Sequence, residues 1–161
     1  MAEWFTREEA ETDPEFGILP ENRSAEELLD EGIVIVDKPF GPTSNQVSTW
    51  IKEELDVKKT GHFGTLDPNA TGVLPVALNS ATRLNEALAE ADKEYVFEAE
   101  LQDEKPEERI REELNKFKGA NKQVPPEKSA VKREEREREV YSISFIEKQG
   151  EKMLGKVRCE S

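Results

Sequence analysis

The chain has 161 residues, of which 36 are acidic and 23 basic, so its formal net charge is −13. This length fits one domain with a tail. No window approaches the roughly 18 consecutive apolar residues of a membrane-spanning helix, and the first residues lack the basic and apolar regions of a signal peptide. The sequence therefore predicts a cytoplasmic protein that does not enter a membrane.

The counts of two residue types restrict the chemistry of any site. The chain has one cysteine, Cys159, which excludes a disulfide within it. Its one histidine is His62, and a single cysteine with a single histidine argues against a zinc site. We therefore expect neither a metal nor a cofactor.

The acidic residues are concentrated near the N-terminus. Residues 1–33 hold eleven acidic and two basic residues, whereas residues 34–88 hold six and five. We interpret residues 1–24 as a flexible acidic tail and residues 25–161 as the folded part. The acidic excess either repels nucleic acid or binds a basic partner, or it only keeps the protein in solution. A polyanion would have to be recognised by a local motif, because the total charge opposes it.

In chain order, the pattern first predicts a short helix over residues 25–31 that ends at Gly32. A continuous apolar run then predicts a buried strand over residues 33–36. Thr43 or Ser44 is a good N-cap for the amphipathic helix that follows. Its predicted inward positions are Val47, Trp50, Ile51 and Leu55.

Residues 61–72 show no periodicity and contain three glycines, so we predict a structured loop. A short apolar strand or turn over residues 73–78 follows. A further helix is predicted over residues 82–91. Its inward positions are Leu84, Ala87, Leu88 and Ala91.

The second half begins with an alternating, half-buried strand. Its inward residues are Tyr95, Phe97, Ala99 and Leu101. A helix starting at Pro106 and ending at Gly119 comes next, with Ile110, Leu114 and Phe117 inward. A loop over residues 122–132, a solvated charged run over 132–139 and a hairpin of residues 140–148 and 153–159 complete the order. This order predicts an α+β fold, in which a mixed, mainly antiparallel sheet packs against helices.

The loop of residues 61–72 is the strongest candidate for a site. It lacks the glycine and lysine spacing of a phosphate-binding P-loop. An EF-hand starting at Asp67 would need a bidentate glutamate where Leu78 stands. No serine or cysteine accompanies the histidine in a nucleophile pattern. Asp67, which precedes Pro68, either forms a turn or serves as a nucleophile or an acid–base group.

Four segments together resemble the TruB family of pseudouridine synthases. The sequence GHFGTLDP at residues 61–68, continued by ATGVLPV at 70–76, closely resembles its catalytic motif. VDKPFGPTS at residues 36–44 resembles the family's first motif, and KEY at 93–95 resembles a Lys-x-Tyr strand start. PPEKSAVKR at residues 125–133 is similar to the archaeal and eukaryotic (dyskerin-like) branch, which acts with H/ACA guide RNA. The resemblance extends over about residues 15–161.

The resemblance implies isomerisation of uridine to pseudouridine in RNA, a reaction that needs neither redox change nor metal. Asp67 would be the nucleophile, at C1′ or at C6 of the base, on a loop facing an open cleft. Tyr95 would stack on the uracil, which must leave its own stack. His62 would contact the RNA, and Lys38, grouped with them as a substrate-binding residue, would with Pro39 mainly brace the loop. The implied partners are tRNA or rRNA substrate, guide RNA and H/ACA ribonucleoprotein proteins.

The same resemblance implies that the sequence is part of a longer protein. The family continues with a Gly-Thr-Tyr-Ile-Arg motif, whose arginine pairs with the catalytic aspartate, and with a C-terminal PUA domain. We therefore expect the 161 residues alone to be marginally folded and inactive. The alternatives to an enzyme are a non-catalytic scaffold of a ribonucleoprotein and an acidic α/β domain with a chance motif.

Overall fold

The chain folds into two compact units, residues 1–85 and 86–161. The computed structural model describes residue 15 and residues 17–88, 91–124 and 135–160. Most of the predicted acidic tail and nearly all of the predicted loop at residues 122–132 lie outside the described residues. Within the tail, Pro20–Asn22 form one 3-10 turn.

Two short helices of the first unit begin where the sequence predicts. Helix α1 spans Ala25–Glu31, and Ser24 caps it by accepting a hydrogen bond from the backbone N–H of Glu27. Helix α2 spans Ser44–Glu54 and is capped in the same way by Thr43. In both cases the side chain three residues after the cap accepts a hydrogen bond from the backbone N–H of the capping residue. These two hydrogen bonds satisfy backbone groups that the start of a helix otherwise leaves unpaired.

The sheet of the first unit is antiparallel. Strands β1 (Ile33–Lys38), β2 (Thr60–His62) and β3 (Gly72–Leu78) lie in the order β1-β3-β2. Helix α2 packs on this sheet and, with it, forms a buried cluster of Val47, Leu74 and Val76. The burial of these apolar side chains is the main stabilising contribution of the unit.

The second unit is a four-stranded antiparallel sheet with one helix against it. Its strand order is β4-β7-β6-β5. The strands are β4 (Lys93–Glu100), β5 (Gly119–Gln123), β6 (Arg136–Gln149) and β7 (Lys152–Cys159). Helix α4 (Glu107–Asn115) contributes Ile110 to a buried cluster with Phe145 and Met153. The two antiparallel sheets with their packed helices confirm the predicted α+β class.

Two segments that the structure forms as strands were not predicted as strands. β2 has only three residues, and it is a strand because it pairs with β3 from Thr60↔Leu78 to His62↔Val76. β5 pairs with β6, from Gly119↔Val140 to Gln123↔Arg136. Neither segment alternates apolar with polar residues, so only their distant partners make them strands.

Several predicted inward positions are wrong. Trp50 is 54% exposed because α2 packs through Val47, Ser48 and Ile51, which occupy another side of the helix. Residues 79–84 form a 3-10 helix and α3 is only Asn85–Leu88, so the predicted helical face does not exist there. Phe117 lies beyond the end of α4 and is 56% exposed. All four residues predicted to face inward on the helix over 82–91 are exposed: Leu84, Ala87, Leu88 and Ala91.

Among the residues that the structure describes, no helix has the length and apolar character needed to cross a membrane.

Gly155 is required by close packing in the second unit. A Cβ atom at this position would lie 2.5 Å from Cζ of Phe97, the cross-strand neighbour of Gly155. We expect Gly155→Ala to lower the free energy of unfolding of this unit by about 1–3 kcal/mol, because the ring must move within a packed cluster. Urea unfolding followed by the signal of Tyr95 and Tyr141, the two tyrosines of the chain, measures this effect. Ser144→Ala, on the exposed face of β6, is the control and should change the midpoint little.

Candidate active site

The predicted catalytic loop connects β2 to β3. These strands are antiparallel neighbours, and His62 is paired with Val76. Phe63, the first loop residue, is 6% exposed and packs with Ala77 and Ala81. The loop thus begins at a buried residue next to the sheet.

Lys38 is the central support of the loop. Its side chain is fully buried, and its ammonium group donates to three backbone carbonyls: Asp67 at 3.1 Å, Ala70 at 2.8 Å and Pro39 at 3.1 Å. An ammonium group has three N–H donors, so all are used. The geometry therefore favours the expected role of Lys38 in bracing the loop.

A second support comes from the start of α2. The hydroxyl of Ser44 donates to the carbonyl of Leu66 at 3.0 Å and accepts from the N–H of Leu66 at 2.9 Å. Ser44 is 1% exposed. Both polar groups of the residue before Asp67 are thereby held by one side chain.

Asp67 is exposed, although its backbone is fixed. Its carbonyl accepts from Lys38 and from the N–H of Ala70 at 3.0 Å. Within the described parts of the chain, its carboxylate makes no hydrogen bond or ion pair. The hydrogen bonds therefore fix the backbone at Asp67 and leave the carboxylate accessible, as nucleophilic or acid–base catalysis requires.

His62 lies beside this loop with both ring nitrogens engaged. Nδ1 is 2.5 Å from the carbonyl oxygen of Gly64, and Nε2 is 3.0 Å from Oδ1 of Asn45. The ring therefore belongs to the same cluster as Lys38, Ser44 and Asp67.

Tyr95 belongs to the other unit. It lies near the start of β4, opposite Val157 of β7, and is 40% exposed. Of the four predicted site residues, the first unit contains Lys38, His62 and Asp67.

The thiol of Cys159 is a poor alternative nucleophile. Burial raises the pKa of this thiol, and the nearby Asp92 carboxylate adds to the increase, while Lys93 opposes it. The thiolate is the reactive form of cysteine, so a raised pKa disfavours thiol chemistry here.

Sequence reasoning missed two residues of this cluster. Ser44 was recognised only as a possible N-cap, and Asn45 was not singled out. Their signal is a polar Thr-Ser-Asn stretch directly before an amphipathic helix, which predicts a helix start but not its contact with residues about twenty positions further along.

Two family models match the chain. Residues 52–108 match the N-terminal domain of the TruB family pseudouridylate synthases, and residues 1–48 match the DKCLD (NUC011) domain. These matches agree with the resemblance seen in the sequence.

Curated relatives of this chain include proteins described as pseudouridine synthases. The chain is 46% identical over 161 residues to a probable tRNA pseudouridine synthase B of Methanothermobacter thermautotrophicus, covering 100% of the chain and 50% of that protein. A protein of the same description from Pyrococcus furiosus is 47% identical, with 96% and 45% covered. The chain thus spans about half the length of the curated relatives it matches.

Two solved structures are similar to this fold. One is a crystal structure of a Cbf5-Nop10-Gar1 complex, with a TM-score of 0.87, 47% identity, and coverage of 96% of this chain and 47% of that one. The other is an H/ACA RNP bound to a substrate RNA containing 2′-deoxyuridine, with a TM-score of 0.82, 42% identity, and coverage of 95% and 45%.

Proposed function

Because the chain belongs to the TruB family of pseudouridine synthases, we propose that it is the N-terminal part of an RNA pseudouridine synthase. Residues 25–161 then form the N-terminal portion of the catalytic domain, preceded by an acidic tail. The whole protein converts uridine to pseudouridine in tRNA or in guide-selected rRNA, and it acts in the cytoplasm.

The observation that carries the proposal is the arrangement around Asp67. Its carboxylate is exposed on a loop whose backbone is held by the buried side chains of Lys38 and Ser44. The reaction detaches a base from its ribose and joins it again through carbon, so it needs a nucleophile that keeps its position while the base moves. An accessible carboxylate on a backbone that is held in place meets that need.

The placement of the cations supports RNA as the substrate despite the net charge. In the second unit, most of the described lysines and arginines form ion pairs with acidic side chains, for example Lys156 with Glu94 and Arg158 with Asp92. Lys58 and Lys59, which lead into β2 and His62, make no ion pair with any residue that the structure describes, and neither does Arg83. Lys58 and Lys59 lie at the Leu78 end of β3, whereas the Asp67 loop joins β3 at Gly72. They can contact phosphates of a bound RNA away from Asp67 without first breaking an ion pair.

The partners follow from the same proposal. The similar solved structures are of a Cbf5-Nop10-Gar1 complex and of an H/ACA RNP with substrate RNA. We assign guide RNA and H/ACA ribonucleoprotein proteins to this protein by that similarity.

The test is pseudouridine formation by the full-length protein. RNA carrying uridine tritiated at C5 is incubated with the protein, with and without guide RNA and the H/ACA proteins, and tritium release is measured. We expect release in at least one of these conditions. A folded protein that binds the RNA but releases no tritium would contradict the proposal and favour a scaffold.

Tyr95 should act mainly through its ring. We expect Tyr95→Phe in the full-length protein to keep stacking on the uracil and to lose only what the hydroxyl group contributes. Tyr95→Ala should lose both, since stacking of a base on an aromatic ring is worth about 1–3 kcal/mol. Tritium release and RNA affinity of both variants measure the difference. Equal activity of the alanine variant and the unmodified protein would remove Tyr95 from the site.

A further inference from the structure

We infer that Asn45 is a positioning residue that holds the His62 imidazole with its proton on Nδ1 and its Nε2 lone pair engaged. The inference rests on the proposed function only for its catalytic consequence. The ring geometry stands independently of which reaction the protein performs.

The first step is the proton on Nδ1. The Gly64 carbonyl oxygen, 2.5 Å from Nδ1, can only accept a hydrogen bond. This contact therefore favours hydrogen on Nδ1. In a neutral imidazole only one nitrogen is protonated, so Nε2 is then an acceptor.

The second step is the role of Asn45. Its amide oxygen Oδ1 lies 3.0 Å from Nε2, and a half-turn of the amide group puts the nitrogen in the place of the oxygen. With the amide nitrogen towards the ring, Asn45 donates to Nε2 and matches the Nδ1–H tautomer. The opposite orientation would require a positively charged ring. In the neutral form of the ring, Asn45 therefore donates to Nε2.

The third step is the rigidity of Asn45. It follows Ser44, whose buried hydroxyl binds both polar groups of the Leu66 backbone. The preceding residue, Thr43, forms a reciprocal cap with Gln46. These hydrogen bonds fix the first turn of α2, so the backbone that carries the Asn45 amide is held in place.

The consequence concerns the orientation of the ring beside the loop. With Nδ1–H directed at Gly64 and Nε2 at Asn45, rotation of the imidazole would break two hydrogen bonds. The ring therefore holds one orientation next to Asp67's loop, where the proposed function has it contact RNA. Asn45 acts on the reaction only through His62.

The test combines a spectroscopic readout with kinetics in the full-length protein. Nitrogen-15 NMR of the imidazole distinguishes protonated from unprotonated ring nitrogens, and the spectrum of His62→Gln identifies the signals of His62. We expect the unmodified protein, at the neutral limit of a pH series, to have hydrogen on Nδ1. Asn45→Ala should shift the population towards hydrogen on Nε2, and Asn45→Asp, which can only accept, should do so further.

The kinetic measurements compare Asn45→Ala with a control variant. Asn45→Ala should lower kcat by about tenfold, equivalent to about 1.4 kcal/mol, with little change in KM. Asn115→Ala, an exposed asparagine at the end of α4, should change neither the His62 signals nor kcat.

An unchanged His62 spectrum in Asn45→Ala, or hydrogen on Nε2 in the unmodified protein, would overturn the inference. Absence of turnover in the unmodified protein would instead refute the proposed function and leave the NMR result valid. The two failures are therefore distinguishable.

Discussion

Asp67→Asn in the full-length protein should abolish detectable pseudouridine formation while RNA affinity stays within about threefold of the unmodified value. The amide keeps the volume of the carboxylate but is not a nucleophile. The backbone hydrogen bonds of the loop, which come from Lys38 and Ala70 to the Asp67 carbonyl, do not involve the side chain and should persist. Tritium release from C5-labelled uridine measures turnover, and a gel-shift titration measures affinity.

Asp56→Asn is the matched control for this experiment. Asp56 is exposed and adopts a positive φ of 49°, a conformation that asparagine tolerates well. We expect this variant to keep full activity. Substantial turnover by Asp67→Asn would refute its assignment as the nucleophile.

The second large effect should come from Lys38→Met. Methionine keeps most of the apolar stem but removes the ammonium group. The carbonyls of Pro39 and Ala70 lose this donor, and the Asp67 carbonyl keeps only the N–H of Ala70. Leaving a buried acceptor unsatisfied costs about 1–3 kcal/mol. A carbonyl that reaches water avoids this cost, so the total is smaller than the sum over all three. We therefore expect Lys38→Met to lower the free energy of unfolding of the first unit by about 3–5 kcal/mol.

Urea unfolding followed by tryptophan fluorescence measures this loss, because Trp50 lies on α2 of the first unit and the sequence of the second unit contains no tryptophan. Lys52→Met is the control, since Lys52 is exposed on α2 and should change stability by less than about 0.5 kcal/mol. An unfolding midpoint of Lys38→Met equal to that of the control would show that the three hydrogen bonds do not support the loop. We also expect Lys38→Met to lower kcat, because the backbone at Asp67 would no longer be held.

The long catalytic motif predicted the loop and its aspartate, and the structure adds what holds them. GHFGTLDP identifies Asp67 by resemblance, but nothing in its spacing indicates that Ser44 binds Leu66 or that Lys38 reaches Asp67 and Ala70. Lys38 and its partners are 29 and 32 positions apart. Side-chain periodicity describes neighbours within one element and contains no information about contacts over that distance.

The sequence by itself determined the elements whose signals are local. Helices α1 and α2 have their capping residues within three positions, and the hairpin of β6 and β7 has its turn and both strands in one continuous stretch. Tertiary structure decided the rest. β2 and β5 are strands only through pairing with β3 and β6. Lys38 becomes a buried support and Asn45 a partner of His62 because the fold brings polar groups of distant segments together. Unpaired polar groups destabilise a protein only when they are buried, so these pairings depend on the tertiary structure.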